Sequence, residues 1–113
     1  MNLSTLLFRL GITPNYKAYH QIITAITLSS ENTGLLMLVT KQLYPAVAQT
    51  YHTSWRAVER NIRLASDRAW QCNPALLAEL AGHPLADTPT SSQLIAILAG
   101  WYEKEGAGEE SGR

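Results

Sequence analysis

The sequence contains a single cysteine, Cys72, so an internal disulfide bond is excluded and a reducing compartment is expected. No apolar run approaches the roughly 18 to 20 residues that a membrane-spanning helix needs. The N-terminal segment has a short apolar patch but neither a basic leader nor a small-residue cleavage site, which argues against a secretory signal. We therefore expect a cytoplasmic protein with no membrane contact.

Metal ligands and catalytic groups are equally scarce. His20, His52, His83 and Cys72 show none of the close spacings that are typical of zinc sites. The serines lie in polar segments with no base nearby, and the sequence has no glycine-rich phosphate loop. We expect no metal ion, no cofactor and no enzymatic activity.

The chain also lacks net charge, because nine Lys and Arg balance nine Asp and Glu. The charges are nevertheless segregated along the sequence. Residues 1–70 contain seven basic and three acidic groups, whereas residues 71–113 contain two basic and six acidic groups. The basic excess of the first part suggests nucleic acid or an acidic protein as its partner.

Apolar residues recur at helical spacing, and no repeat, strand or hairpin pattern is present. We predict an all-α fold, a compact bundle of about six helices that contains a helix-turn-helix. Proline, glycine and capping residues delimit the predicted helices, which span residues 3–10, 13–28, 35–44, 45–51, 54–70, 75–81 and 94–104. Residues 1–11 are interpreted as an extension or short helix, 12–105 as the domain, and 106–113 as a disordered Gly- and Glu-rich tail.

The segment 54–70, SWRAVERNIRLASDRAW, has the clearest amphipathic pattern in the chain. At about 100° per residue, one narrow stripe is apolar and the opposite side is charged. The apolar stripe consists of Val58, Ile62, Ala65 and Ala69, and the charged side of Arg56, Arg60, Arg63 and Asp67. Such a helix buries one edge and exposes a row of guanidinium groups.

The segment 45–70 has the pattern of a helix-turn-helix. A short helix begins at Pro45, a tight turn follows at His52-Thr53, and Ser54 caps a longer arginine-rich helix. In the DNA major groove, arginine pairs with guanine and a carboxylate accepts from cytosine. Glu59, Arg60 and Arg63 are therefore the candidate base-reading residues. The alternative from these residues alone is a solvated helix face with ion pairs such as Glu59–Arg63.

The segment LYPAVAQTYHTSWRAVERNIRLASDRAW closely resembles the C-terminal effector domain of the sporulation-initiation response regulator of endospore-forming bacteria. The similarity is carried by Tyr44-Pro45, Ala48, Val58-Glu59-Arg60, Ile62-Arg63 and Ala69-Trp70, and it covers about residues 12–105. The resemblance implies a six-helix domain that binds double-stranded DNA and regulates transcription. It also implies that Glu59, Arg60 and Arg63 match DNA-contacting positions.

We assign the DNA backbone to a second set of residues: Lys41, His52, Ser54, Arg56 and Arg68. For Lys41 an ordinary surface position is the alternative, and for His52 a turn-filling role. The expected partner is double-stranded DNA; the resemblance further implies a second copy of the chain paired head to tail on DNA, and RNA polymerase is a further candidate partner.

The chain departs from the family pattern at two positions of the arginine helix: Ala57 and Leu64 replace an arginine and a histidine. Trp55 is also unusual beside a DNA-facing surface. Residues 1–11 are too few for the receiver domain that family members carry, so we expect a stand-alone effector or a piece of a longer protein. The rival hypothesis is a protein-interaction module whose degenerate helix-turn-helix docks an acidic protein.

Overall fold

The computed structural model describes residues 1–106, and within this range it contains helices and turns but no strand. Its six α-helices are α1 (Leu3–Arg9), α2 (Lys17–Glu31), α3 (Tyr44–Thr50), α4 (Trp55–Cys72), α5 (Pro74–Ala81) and α6 (Ser91–Trp101). A 3₁₀ turn (Thr33–Met37) and a π-helical turn (Val39–Leu43) lead into α3, and a second π-helical turn (Tyr102–Gly106) follows α6. The predicted all-α fold is confirmed. The predicted disordered tail lies outside the described residues, except for Gly106.

Helix α4 lies at the centre of the bundle and packs against α2, α3, α5 and α6. The four apolar residues of its predicted stripe, Val58, Ile62, Ala65 and Ala69, are all buried. Removing a side chain such as Ile62 from water stabilises the fold by about 1.5–3 kcal/mol. Because one edge of α4 is fixed in the core in this way, the opposite edge must face outward.

Helix α1 belongs to the same core as the rest of the chain. Its leucines Leu3, Leu6 and Leu7, with Leu10 just after the helix, are all buried in the cluster that contains the α4 stripe. Gly11 then turns the chain with φ +80°, and a Cβ at this position would lie 2.8 Å from the Cys72 Sγ atom. Glycine is therefore required here both by the backbone conformation and by the close approach of α4.

The predicted Ser54 cap is confirmed, and capping residues define two further helix ends. Ser54 accepts a hydrogen bond from the Ala57 amide, and Gly82 ends α5 with φ +82°. Thr90 and Gln93 form a reciprocal capping box, so α6 spans Ser91–Trp101 and both begins and ends three residues before the predicted bounds 94–104. Local capping chemistry thus determines where these helices begin and end.

The predicted start of α2 at Thr13-Pro14 is wrong. The Tyr16 amide donates to the Thr13 carbonyl, and the Thr13 hydroxyl bonds to the Asn15 side chain instead of capping a helix. Residues 13–16 therefore form a turn, and α2 begins at Lys17. The local hydroxyl–amide pairing competes with the helix cap that Thr13 was expected to provide.

The predicted helix 35–44 is also wrong, whereas the boundary predicted at Pro45 lies within one residue of the observed start of α3 at Tyr44. The segment forms a 3₁₀ turn followed by a π-helical turn, and Tyr44 is helical with φ −61° and ψ −42°. The Tyr44 amide donates to the Val39 carbonyl, five residues back, in place of the usual four. We attribute the helical conformation of Tyr44, directly before a proline, to this widened turn, which makes room for the Pro45 ring within the first turn of α3.

Within residues 1–106, no helix has the length and apolar character to cross a membrane.

Candidate nucleic-acid interface

The turn between α3 and α4 is fixed by backbone hydrogen bonds. The Thr53 amide donates to the Ala48 carbonyl and the His52 amide to the Gln49 carbonyl, the two bonds of a Schellman motif. His52 occupies the left-handed position of this motif with φ 54°. Because Ser54 then caps α4 directly, the two helices are held at a fixed relative position by four connecting residues, 51–54.

The outward edge of α4 carries the predicted charged residues. Arg56, Arg60, Arg63 and Asp67 are all exposed, on the side opposite the buried stripe. One ion pair is present on this edge within the described residues, between Arg63 Nη1 and Glu59 Oε1 at 3.6 Å. Arg56 and Arg60 make no ion pair among residues 1–106, so their charges are available to a partner outside the chain.

Glu59 is anchored more firmly than its neighbours. The Ser91 hydroxyl, on the first turn of α6, donates to Glu59 Oε2 at 3.1 Å, while Arg63 approaches the other carboxylate oxygen. The Glu59 side chain is only 28% exposed. Ser91 is not recognisable from the sequence, because a contact between residues 32 positions apart leaves no local pattern.

A buried hydroxyl lies beside this carboxylate. The side chain of Tyr44 is fully buried, and its Oη atom makes no hydrogen bond of acceptable geometry within the described residues. Burial raises the pKa of Tyr44 above its ordinary value of 10.0, and the nearby Glu59 charge adds to the increase. The Ser91 and Ser92 hydroxyls lower the pKa of Tyr44 and so offset part of this increase. Tyr44 on α3, Glu59 on α4 and Ser91 on α6 thus lie close together at a partly polar junction of the three helices.

Two exposed apolar side chains lie on α4 close in sequence to the arginines. The Trp55 ring is 36% exposed, and the Arg56 guanidinium carbon lies 5.0 Å from its centroid. This cation–π contact orients Arg56 without neutralising it. Leu64, at 50% exposure, lines a cavity of about 260 Å³ with Tyr16 and Arg68. Trp55 is therefore partly exposed at the first turn of α4.

The candidate backbone-contacting residues are spread over a wider surface. Ser54 and His52 lie at the turn beside the first residues of α4, and Lys41 is exposed on the π-helical turn that leads into α3. Arg68 lies near the other end of α4, where its Nε donates to the Gly11 carbonyl at 3.2 Å. The structure thus brings Ser54, His52 and the base-reading candidates to one end of α4 and places Arg68 at the other.

A family model described as "Sporulation initiation factor Spo0A C terminal" matches residues 3–101, which is most of the chain. The match includes all six α-helices and every candidate contact residue of α3, α4 and the turn between them. This family is the DNA-binding domain of a sporulation response regulator and is not a catalytic family. The chain therefore belongs to the Spo0A C-terminal domain family of DNA-binding effector domains.

Proposed function

We propose that this domain regulates transcription by binding double-stranded DNA sequence-specifically through a helix-turn-helix formed by α3, the turn 51–54 and α4. The observation that carries the proposal is that Arg56 and Arg60, on the outward edge of a helix otherwise fixed in the core, make no ion pair within residues 1–106. A solvated helix face held together by ion pairs would leave fewer free cations. Here one pair, Glu59–Arg63, is formed.

In this proposal, Arg60 and Arg63 donate to guanine in the major groove and Glu59 accepts from cytosine. The Ser54 cap and the hydrogen-bonded turn fix the position and orientation of α4 relative to α3. The side chains therefore enter the groove from a preorganised backbone. Arg56, Lys41, His52 and Arg68 are proposed to contact phosphates, which set register and orientation without reading sequence.

The test is a selection of binding sites from random duplexes, followed by titrations with Arg60→Ala. We expect a single preferred site, and a loss of about 1–3 kcal/mol that is confined to one base pair of that site. Arg9→Ala is the matched control, because Arg9 is an exposed arginine on α1. Wild-type binding should also weaken steeply with salt as counterions are released.

Two results would contradict the proposal. If the wild-type protein recovered no preferred duplex at low salt, α4 would be better interpreted as a surface for an acidic protein. If Arg60→Ala bound every duplex as the wild-type protein does, the helix would not read bases through Arg60. Pairing of two copies on DNA and contact with RNA polymerase are further proposals, to be tested on the selected site.

A further inference from the structure

A polar cleft of about 400 Å³ lies beside α4, between the first turns of α2 and the turn that precedes α4. Three elements thus meet around one opening. The residues that line it include Lys17, His20, Tyr51, Thr53, Arg60 and Asn61. Among the residues that the structure describes, none that lines the cleft is acidic. Ala57 also faces the cleft, and its small side chain leaves the opening between α2 and Arg60 unfilled.

The walls of this cleft are held together by side-chain hydrogen bonds. The Asn61 amide on α4 donates to the Gln21 side chain on α2 at 3.1 Å, and Gln21 is buried. The Tyr51 hydroxyl donates to the His20 carbonyl at 2.9 Å and lies 2.6 Å from the Thr24 hydroxyl. The distance between α2 and the turn is therefore fixed before any ligand arrives.

The charge in the cleft is positive and unpaired. Lys17 and Arg60 are exposed, and neither makes an ion pair among residues 1–106. His20 Nε2 donates to the Pro14 carbonyl at 2.9 Å, which fixes the orientation of the imidazole ring at the edge of the cleft. Two cations and a hydroxyl donor from Thr53, with no competing carboxylate, are the chemistry that binds a phosphodiester.

Arg60 belongs both to this cleft and to the outward edge of α4. An anion held in the cleft must therefore lie next to whatever that edge binds. We propose that Lys17, on α2, binds a phosphate of the DNA strand that flanks the groove read by α4, with Thr53 donating to the same phosphate while Arg60, at the border of the cleft, reads the adjacent base. This inference rests on the proposed function and adds α2 as a DNA-contacting element that was absent from the sequence-based set.

The test measures DNA affinity of Lys17→Ala as a function of salt, on the selected duplex and on a scrambled one. We expect affinity for both duplexes to fall by a similar factor, about 3- to 10-fold near 0.1 M salt. The slope of log K against log salt should decrease by about 0.9, the value for one lost phosphate contact. Lys104→Ala, which changes a lysine beyond α6, is the control and should leave the affinity and the salt slope unchanged. Lys17→Arg keeps the positive charge and should retain the wild-type affinity and salt slope.

A second measurement locates the phosphate. Single methylphosphonate linkages, which remove one backbone charge each, are placed through the selected duplex. One linkage should weaken wild-type binding but leave Lys17→Ala binding unchanged, because that variant has already lost the contact. Circular dichroism of each variant verifies that α2 is intact.

The outcomes separate this inference from the proposed function. If the wild-type protein binds its duplex but Lys17→Ala shows the same affinity and salt slope, α2 does not contact DNA and the inference alone fails. If nuclear magnetic resonance shows inorganic phosphate bound at Lys17 while DNA binding is insensitive to Lys17→Ala, the cleft is a site for free anions and the inference is again overturned. If the wild-type protein binds no duplex, the proposed function fails first.

Discussion

At the scale of single residues, the contact between Ser91 and Glu59 distinguishes this surface from an ordinary charged helix. A free glutamate beside phosphates repels them, whereas a glutamate held by a hydroxyl and an arginine presents its remaining lone pairs in one direction. The Ser91 hydroxyl lies 3.1 Å from one carboxylate oxygen and Arg63 lies 3.6 Å from the other. Ser91 is thus a positioning residue for a proposed base-reading residue.

Ser91→Ala should therefore change sequence preference more than overall affinity. Loss of the hydroxyl releases the Glu59 carboxylate, and we expect a 3- to 10-fold loss of discrimination at one base pair, in line with the ~1 kcal/mol of a typical hydrogen bond. Mobility-shift titrations on duplexes that differ at that base pair measure this loss of discrimination. Ser91→Thr retains the donor and should restore the preference. Equal weakening on every duplex would show that Ser91 serves stability alone.

The buried Tyr44 hydroxyl gives a second prediction at this scale. A buried polar group without a partner is destabilising, so Tyr44→Phe should maintain or raise stability, by up to about 1 kcal/mol. Because burial raises the pKa of Tyr44 in the folded state, the wild-type protein should lose stability as pH rises above the unfolded value of about 10. Urea unfolding at pH 7 to 11 measures both effects.

Tyr44→Phe should show a shallower loss of stability across the alkaline range than the wild-type protein, because no phenol then has to ionise on unfolding. A destabilisation of more than 1 kcal/mol at pH 7 would instead mean that the hydroxyl makes a favourable interaction in the folded protein.

At the scale of elements, the turn between α3 and α4 depends on one unusual backbone position. His52 has φ 54°, a conformation that glycine adopts freely and that costs other residues about 1 kcal/mol or more. His52→Gly should therefore be neutral or stabilising by up to ~1 kcal/mol. His52→Val should destabilise by more, because branched side chains disfavour this region. Urea unfolding of the pair isolates the backbone effect.

The same variant separates the two roles considered for His52. A residue that only fills the turn can be replaced by glycine with no change in DNA affinity. If His52→Gly instead weakens binding to selected and scrambled duplexes alike, the imidazole contacts a phosphate. The alternative, that His52 only fills the turn, would then be wrong.

The elements also show what the sequence can and cannot predict. Helix α4 was predicted within two residues of its observed end, because a buried stripe and a serine cap are local features. The conformation of residues 33–43 was not predicted correctly. A single continuous apolar pattern at 35–44 does not distinguish an α-helix from a 3₁₀ turn joined to a π-helical turn. For the proposed interface, the arginine row was visible on a helical wheel. The contributions of Ser91 and Lys17 depend on tertiary packing between distant segments.

At the scale of the whole molecule, the basic and acidic parts of the sequence form different helices of the bundle. The first part of the chain supplies α2, α3 and α4, and its unpaired cations Lys17 and Arg60 meet at one cleft beside α4. The acidic second part supplies α5, α6 and the turn Tyr102–Gly106. A molecule without net charge therefore has a cationic surface that suits a polyanion.

The integrity of that surface depends on α1, although α1 contributes none of the proposed contacts. Leu6 is fully buried in the central core, Arg68 donates to the Gly11 carbonyl, and Asn73 donates to the Arg9 carbonyl at 3.3 Å. Leu6→Ala should therefore cost about 2–5 kcal/mol, the range for truncating a buried leucine. Leu64→Ala, on the exposed edge of α4, is the matched control and should change stability by less than about 0.5 kcal/mol.

Thermal and urea unfolding of the two variants measures this difference. A stability loss below about 1 kcal/mol for Leu6→Ala would show that α1 is a dispensable extension and that the domain begins after residue 11. A large loss, with DNA affinity retained under conditions where the variant stays folded, would show that α1 supports the interface through the core. The functional unit would then begin at residue 3, where α1 starts.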